Sequence, residues 1–183
     1  MTEFAVCFEP WVGACYPKDS SGLFILGESH YGTDTARLTI DAIENHAIVR
    51  KHEPGPNGRR MRFGLFNNLN YILTGHSVTQ STESERRAVW NRISYANAVQ
   101  ALMTKPNQRP KKEDWITAQP AFEYYISSLK PDRVLILGIE LRRHLSLPPS
   151  MNEKKILCIP HPSSRGFSAS QWHKECKNFI GLN

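Results

Sequence analysis

Four short apolar runs, at 23–26, 93–96, 134–137 and 155–159, restrict the fold more than any other feature of the chain, and each is closed by polar or turn residues. Runs of this length without alternation suit strands buried on both faces, as in a parallel sheet. Between them lie stretches with apolar residues at helical spacing: 34–50, with Leu38, Ala42 and Ile43 behind Asp34 as a cap, and 61–73, with Phe63, Phe66, Leu69 and Leu73. Further helices are expected over 83–90, 118–129, 139–145 and 170–180. Strands alternating with helices imply right-handed crossovers, and so a three-layer α/β/α sandwich around a central four-stranded, mainly parallel sheet. At 183 residues, with no visible linker or repeat, the chain is read as a single domain over 1–183.

Ligands of such sheets lie beyond the carboxyl ends of the strands. That rule selects the loop at 27–32, Asn97, Gly138 and the loop at 161–168. The charge balance, 23 Lys plus Arg against 17 Asp plus Glu, favours a polyanionic partner. Much of the excess is concentrated in two Pro- and Gly- or Asn-bearing loops, 52–62 with Arg59, Arg60 and Arg62, and 105–112 with Lys111 and Lys112. Neither a Gly-x-Gly-x-x-Gly nor a P-loop lysine pattern is present, which argues against the common nucleotide-binding enzymes. Cys7, Cys15, Cys158 and Cys176 are scattered without metal-ligand spacing, so free thiols and no metal or other cofactor are expected. No window approaches the about 18 apolar residues that span a bilayer, and no leader pattern opens the chain. A monomeric cytoplasmic protein without a membrane partner, nucleoid-associated in a prokaryote, is the corresponding expectation.

Two loops concentrate chemistry. The first runs Gly27-Glu28-Ser29-His30-Tyr31-Gly32, an acid, a hydroxyl, an imidazole and a phenol delivered by one strand. The second runs Pro160-His161-Pro162-Ser163-Ser164-Arg165-Gly166-Phe167-Ser168, in which prolines on both sides restrict how His161 is presented. Ser163, Ser164 and Arg165 are suited to meet a phosphate.

Gly27-Glu28-Ser29-His30-Tyr31, Asn97 within Ser94-Tyr95-Ala96-Asn97-Ala98-Val99, the Leu-x-Pro-x-x-Val-x-x-x-Gly segment at 129–138, and His161-Pro162-Ser163 together resemble the uracil-DNA glycosylase superfamily in order and spacing, over about residues 23 to 168. The resemblance implies a DNA partner and hydrolysis of the bond between a flipped-out base and its sugar. By position, Glu28 matches the acid of the iron–sulfur class, whose loop reads Gly-Glu-x-Pro-Gly. Ser29 matches the Asp of the Gly-Gln-Asp-Pro-Tyr-His class, and Tyr31 its Tyr beside the base. Asn97 matches the Asn that reads the base edge, Phe63 or Phe66 the stacking aromatic, and His161 the histidine that steadies the departing base. Phe167 and Arg165 are placed for the wedge that holds the gap left by a flipped base. His30 stands where the family has proline, and the cysteines of the iron–sulfur class are missing from the Asn97 segment. No cluster is expected, and the water-handling role falls to Glu28 or is lost.

These residue types suit the chemistry on physical grounds. Breaking an N-glycosidic bond builds positive charge on the sugar and negative charge on the leaving base. One preorganised donor aimed at the negative end in a dry site is worth roughly 3–4 kcal/mol.

Overall fold

The computed structural model describes residues 5–17, 22–32, 36–50, 64–105 and 108–181. Its strands, in chain order, are β1 (Trp11–Val12), β2 (Leu23–Gly27), β3 (His30–Tyr31), β4 (Ile93–Asn97), β5 (Leu102–Met103), β6 (Arg133–Leu137) and β7 (Ile156–Ile159). Each of the apolar runs is thus a strand. They form a mainly parallel five-stranded sheet in the order β1-β4-β2-β6-β7, and β3 and β5 make a separate two-stranded sheet. The fifth strand, β1, is an antiparallel edge pairing Trp11 with Tyr95 and Val12 with Ser94. At two residues it is too short to show a period, so the sequence pattern leads to one strand fewer.

The helices are α1 (Leu38–Ala42), α2 (Gly64–Thr74), α3 (Glu83–Trp90), α4 (Ala118–Leu129), α5 (Ile139–Arg143) and α6 (Ala169–Ile180). The helix expected over 34–50 begins later and widens into a π-helical turn over Ile43–Ile48. Side chains from elsewhere take up its carbonyls: Asn70 Nδ2 donates to Ala47 O at 3.0 Å and Arg86 Nε to Ile48 O at 2.8 Å. Asp34, the expected cap, lies outside the described residues. α3 starts where the sequence says it should, because Thr82 and Glu85 form a reciprocal capping box.

Both faces of the sheet are buried, which is why the strands lack alternation. Leu23, Ile25, Ile93, Tyr95, Leu135 and Leu137 pack with Ile43, Phe66, Leu69, Ile72, Trp90 and Ile180 from α2, α3, α6 and the π-helical turn. Phe24, Leu26, Ala96, Val134 and Ile136 pack with Phe122 and Tyr125 of α4 and Leu141 of α5 in a second cluster. At roughly 1.5–3 kcal/mol per fully buried large apolar side chain, these two clusters are the main force holding the sheet.

The topology positions the site. From the central β2 the chain reaches β4 on one side and later β6 and β7 on the other. The register aligns Leu26 with Ile136, and Leu137 with Ile159. One step past the strand ends, that alignment brings Glu28, Gly138 and Pro160 into a row.

Candidate active site

A cavity of about 190 Å³ opens over this row, lined by Glu28, Arg109, Gly138, Ile139, Glu140, Pro160, His161 and Ser164. Pockets for drug-sized ligands run roughly 300–1,000 Å³, so this one suits a single ring rather than a whole nucleotide. Glu28 and His161, which sequence reasoning paired, therefore share one cavity.

Glu28 is 6% exposed. Burial pushes its carboxyl above the usual range, an effect moderated by Arg109, whose Nη1 lies 3.6 Å from Oε2. Glu140 adds like charge and His144 opposes it. The backbone around Glu28 is fixed by Val99 N donating to its carbonyl at 2.9 Å and by Ala98 N donating to Gly27 O at 3.0 Å.

His161 is held by its own loop. The Ser163 amide donates to Nδ1 at 3.2 Å and the Ser164 amide to the His161 carbonyl at 2.8 Å, while Asn68 Nδ2 of α2 ties Pro162 O at 2.7 Å. An Nδ1 that accepts from an amide leaves the proton of the neutral ring on Nε2. Burial, followed by the positive charge of Arg109, keeps the imidazole pKa below its ordinary value, so the neutral form prevails at pH 7. Gly138, with φ at 132°, brings the third strand end close, and a side chain there would be strained and in contact with Cβ of His161.

Asn97 does not line the cavity. Its Nδ2 donates to Ser29 O at 3.1 Å, which fixes the amide orientation, and therefore also donates to Nδ1 of His30 at 3.2 Å. Tyr95 OH donates to its Oδ1 at 2.9 Å, and His30 Nε2–H donates to Thr39 Oγ1 at 3.2 Å. The amide fastens the first loop to the sheet. Gly27 makes the network possible, since a Cβ there would collide with Asn97 Oδ1 and Tyr95 OH. His30, packed on Phe8 at 4.3 Å, is buried and neutral, its pKa lowered by desolvation to about 3.

Phe66 is likewise a core residue, between Trp90 at 6.3 Å and Tyr95 at 6.2 Å. Tyr31 is exposed and donates to Gln108 O at 3.1 Å. Ser29 Oγ is enclosed with no hydrogen-bond partner among the described residues. Phe167 is half-buried, stacked on Trp172 at 6.4 Å. Ser163, Ser164, Arg165, Lys111 and Lys112 are exposed on the loops flanking the cavity. Phe63, Arg59, Arg60 and Arg62 lie outside the described residues.

Sequence reasoning passed over Arg109, Ile139 and Glu140. Arg109 belongs to the loop already read as basic, but nothing in that run says which cation turns toward the strand ends. The cysteines are free, and no group of three or more His, Cys, Asp or Glu suited to a metal occurs among the described residues. No helix among them is long and apolar enough to cross a membrane. No family model matches the chain, and no curated protein matches it at a significant level.

Proposed function

We propose that the protein is a monofunctional DNA glycosylase that hydrolyses the N-glycosidic bond of uracil or a related deaminated or modified base flipped out of DNA. The observation that carries this reading is the pairing, in one ring-sized cavity, of a buried carboxylate with an imidazole whose Nδ1 is already bonded. His161 Nε2–H donates to the oxygen or nitrogen on which negative charge grows as the bond to C1′ breaks, and its electron pair leaves with the base. Glu28 opposes the cationic sugar and orients the water whose oxygen adds to C1′. The base takes up a proton and the water loses one, which balances the hydrolysis. In this reading the two apolar clusters make the domain an α/β/α sandwich, acting as a monomer.

The alternatives are a DNA-binding relative with weak, absent or altered base specificity and a nucleotide-processing α/β enzyme; the first is favoured by Asn97, whose polar atoms are engaged in the core and which the cavity therefore lacks as a base reader. One experiment separates the readings. Oligonucleotides, single- and double-stranded, each carrying one uracil, hypoxanthine, xanthine or 5-hydroxymethyluracil, are incubated with the protein and then cleaved at abasic sites with alkali. A strand break at one modified base, slowed about 10²-fold or more in His161→Ala, is expected. Binding without cleavage on every oligonucleotide selects the DNA-binding relative, and neither binding nor cleavage rejects a DNA substrate.

A further inference from the structure

We propose that Arg109 is a positioning residue for Glu28: the loop that carries it is tied down through Tyr31 and Gln108, and its guanidinium, held over the cavity mouth, orients the buried carboxylate. The role of that carboxylate in catalysis rests on the glycosylase reading, but its orientation by Arg109 does not.

The geometry comes from two sides. Glu28 has its side chain 7% exposed while that of Arg109 is 64% exposed, so the pair joins an interior acid to a surface cation. No other cation among the described residues forms an ion pair with this carboxylate. An exposed arginine loses side-chain entropy on holding one geometry, and here that loss is met by an ion pair to a buried acid and by a neighbour, Gln108, that is tied down. Gln108 Oε1 accepts from Thr104 N at 3.1 Å, Thr104 Oγ1 at 3.0 Å and Lys105 N at 3.2 Å, knotting the loop from inside. Tyr31 OH, from β3, pins the Gln108 carbonyl from outside at 3.1 Å. On the far side of Arg109, Lys111 N donates to Asp114 Oδ2 at 2.7 Å. Tyr31 thus acts through the loop that presents Arg109.

Four groups face Glu28: Arg109 from the loop after β5, Glu140 and His144 from α5 and its C-terminal cap, and His161 from the loop after β7. Remove the guanidinium, and burial and Glu140 both disfavour the carboxylate, with His144 as the remaining counterweight. Protonated Glu28 then neither orients water as an anion nor opposes a sugar cation. The same cation lies near His161, where it repels the second proton.

The test reads Glu28 and His161 directly. Carbon-13 carboxyl and imidazole proton titrations are recorded on the full chain, with Glu28 assigned by its disappearance in Glu28→Gln. In Arg109→Gln the Glu28 midpoint should rise by about one pH unit, the low end for loss of an adjacent opposite charge because the arginine is exposed. The His161 midpoint should rise too. Arg109→Lys should restore most of both shifts, and Tyr31→Phe should give a smaller shift in the same direction. On a cleaved oligonucleotide, the acid limb of the kcat/KM profile should move with the Glu28 midpoint. An unmoved Glu28 midpoint in Arg109→Gln overturns the proposal even if the wild type cleaves DNA. A shifted midpoint in a protein that cleaves no oligonucleotide sustains the proposal and removes the glycosylase reading instead.

Discussion

The Ser163 amide donates to Nδ1 of His161 across 3.2 Å, within the same loop that presents the imidazole to the cavity. A donor so close in sequence locks the tautomer without help from another element. If the Nε2–H meets negative charge only as the base departs, His161→Ala should lower turnover by about 10²-fold or more and leave DNA affinity nearly unchanged. Single-turnover rates and filter binding on the same oligonucleotide measure the two quantities. Equal losses in both would mean that His161 contributes ground-state binding alone.

Asn97 should matter to the fold before it matters to any substrate. Asn97→Ala strands Tyr95 OH and His30 Nδ1, both buried, and each orphaned buried group costs about 1–3 kcal/mol. Gly27→Ala should destabilise to a similar extent by driving a methyl into the same network. Urea unfolding at pH 7 gives the comparison. An Asn97→Ala protein as stable as wild type but altered in base preference would return this residue to base reading.

The four parallel strands of the main sheet and the nearness of Glu28 to His161 were legible because they depend on local pattern and on strand ends, which the register then aligns; the two-residue strands β3 and β5 were not. Asn97, at the end of β4, and Phe66, in the first turn of α2, are placed by residue type and spacing, which say nothing about which neighbours consume their polar atoms or faces. Tyr95, two residues from Asn97, and Trp90, beside Phe66, engage them in the core. Arg109 was hidden because a basic loop reads as uniform charge until Tyr31 and Gln108 fix its direction. β1 was invisible since two residues have no period.

His30 makes stability fall in acid. Its folded pKa lies near 3, against 6.5 for the exposed ring, so below pH 6.5 the unfolded chain binds a proton that the folded one refuses. Stability should drop by about 1.4 kcal/mol per pH unit from that group as pH falls from 6.5 toward 3. Glu28 has the opposite sign, because an acid with a raised folded pKa stabilises the fold as pH falls through that value. The difference between wild type and His30→Gln in urea midpoints from pH 7 to pH 4 isolates the histidine. Parallel curves for the two proteins would show that His30 is protonated alike in both states.

The exposed basic residues should act through phosphates, and salt is the way to see it. Lys111 and Lys112 follow Arg109 on its loop and Arg165 follows Ser164 on the loop of His161, both of which line the cavity, and all three are exposed. The Lys111 contact with Glu113, at 3.9 Å with both side chains 68% exposed, is weak enough for a phosphate to displace. Each phosphate contact made by a cation contributes about 0.9 to the slope of log affinity against log salt on duplex DNA. Replacing Lys111 and Lys112 together with glutamine should therefore flatten the slope by up to about 1.8, weaken binding alike on modified and unmodified duplexes, and leave the cleavage step of bound DNA near its wild-type rate. His161→Ala should give the reverse pattern, an unchanged slope with slow chemistry, because its target charge appears on the base and not on the backbone. Fluorescence anisotropy between 50 and 200 mM salt decides the matter. A slope indifferent to both lysines would place the polyanion on another face of the protein, and binding indifferent to salt would remove nucleic acid as the partner.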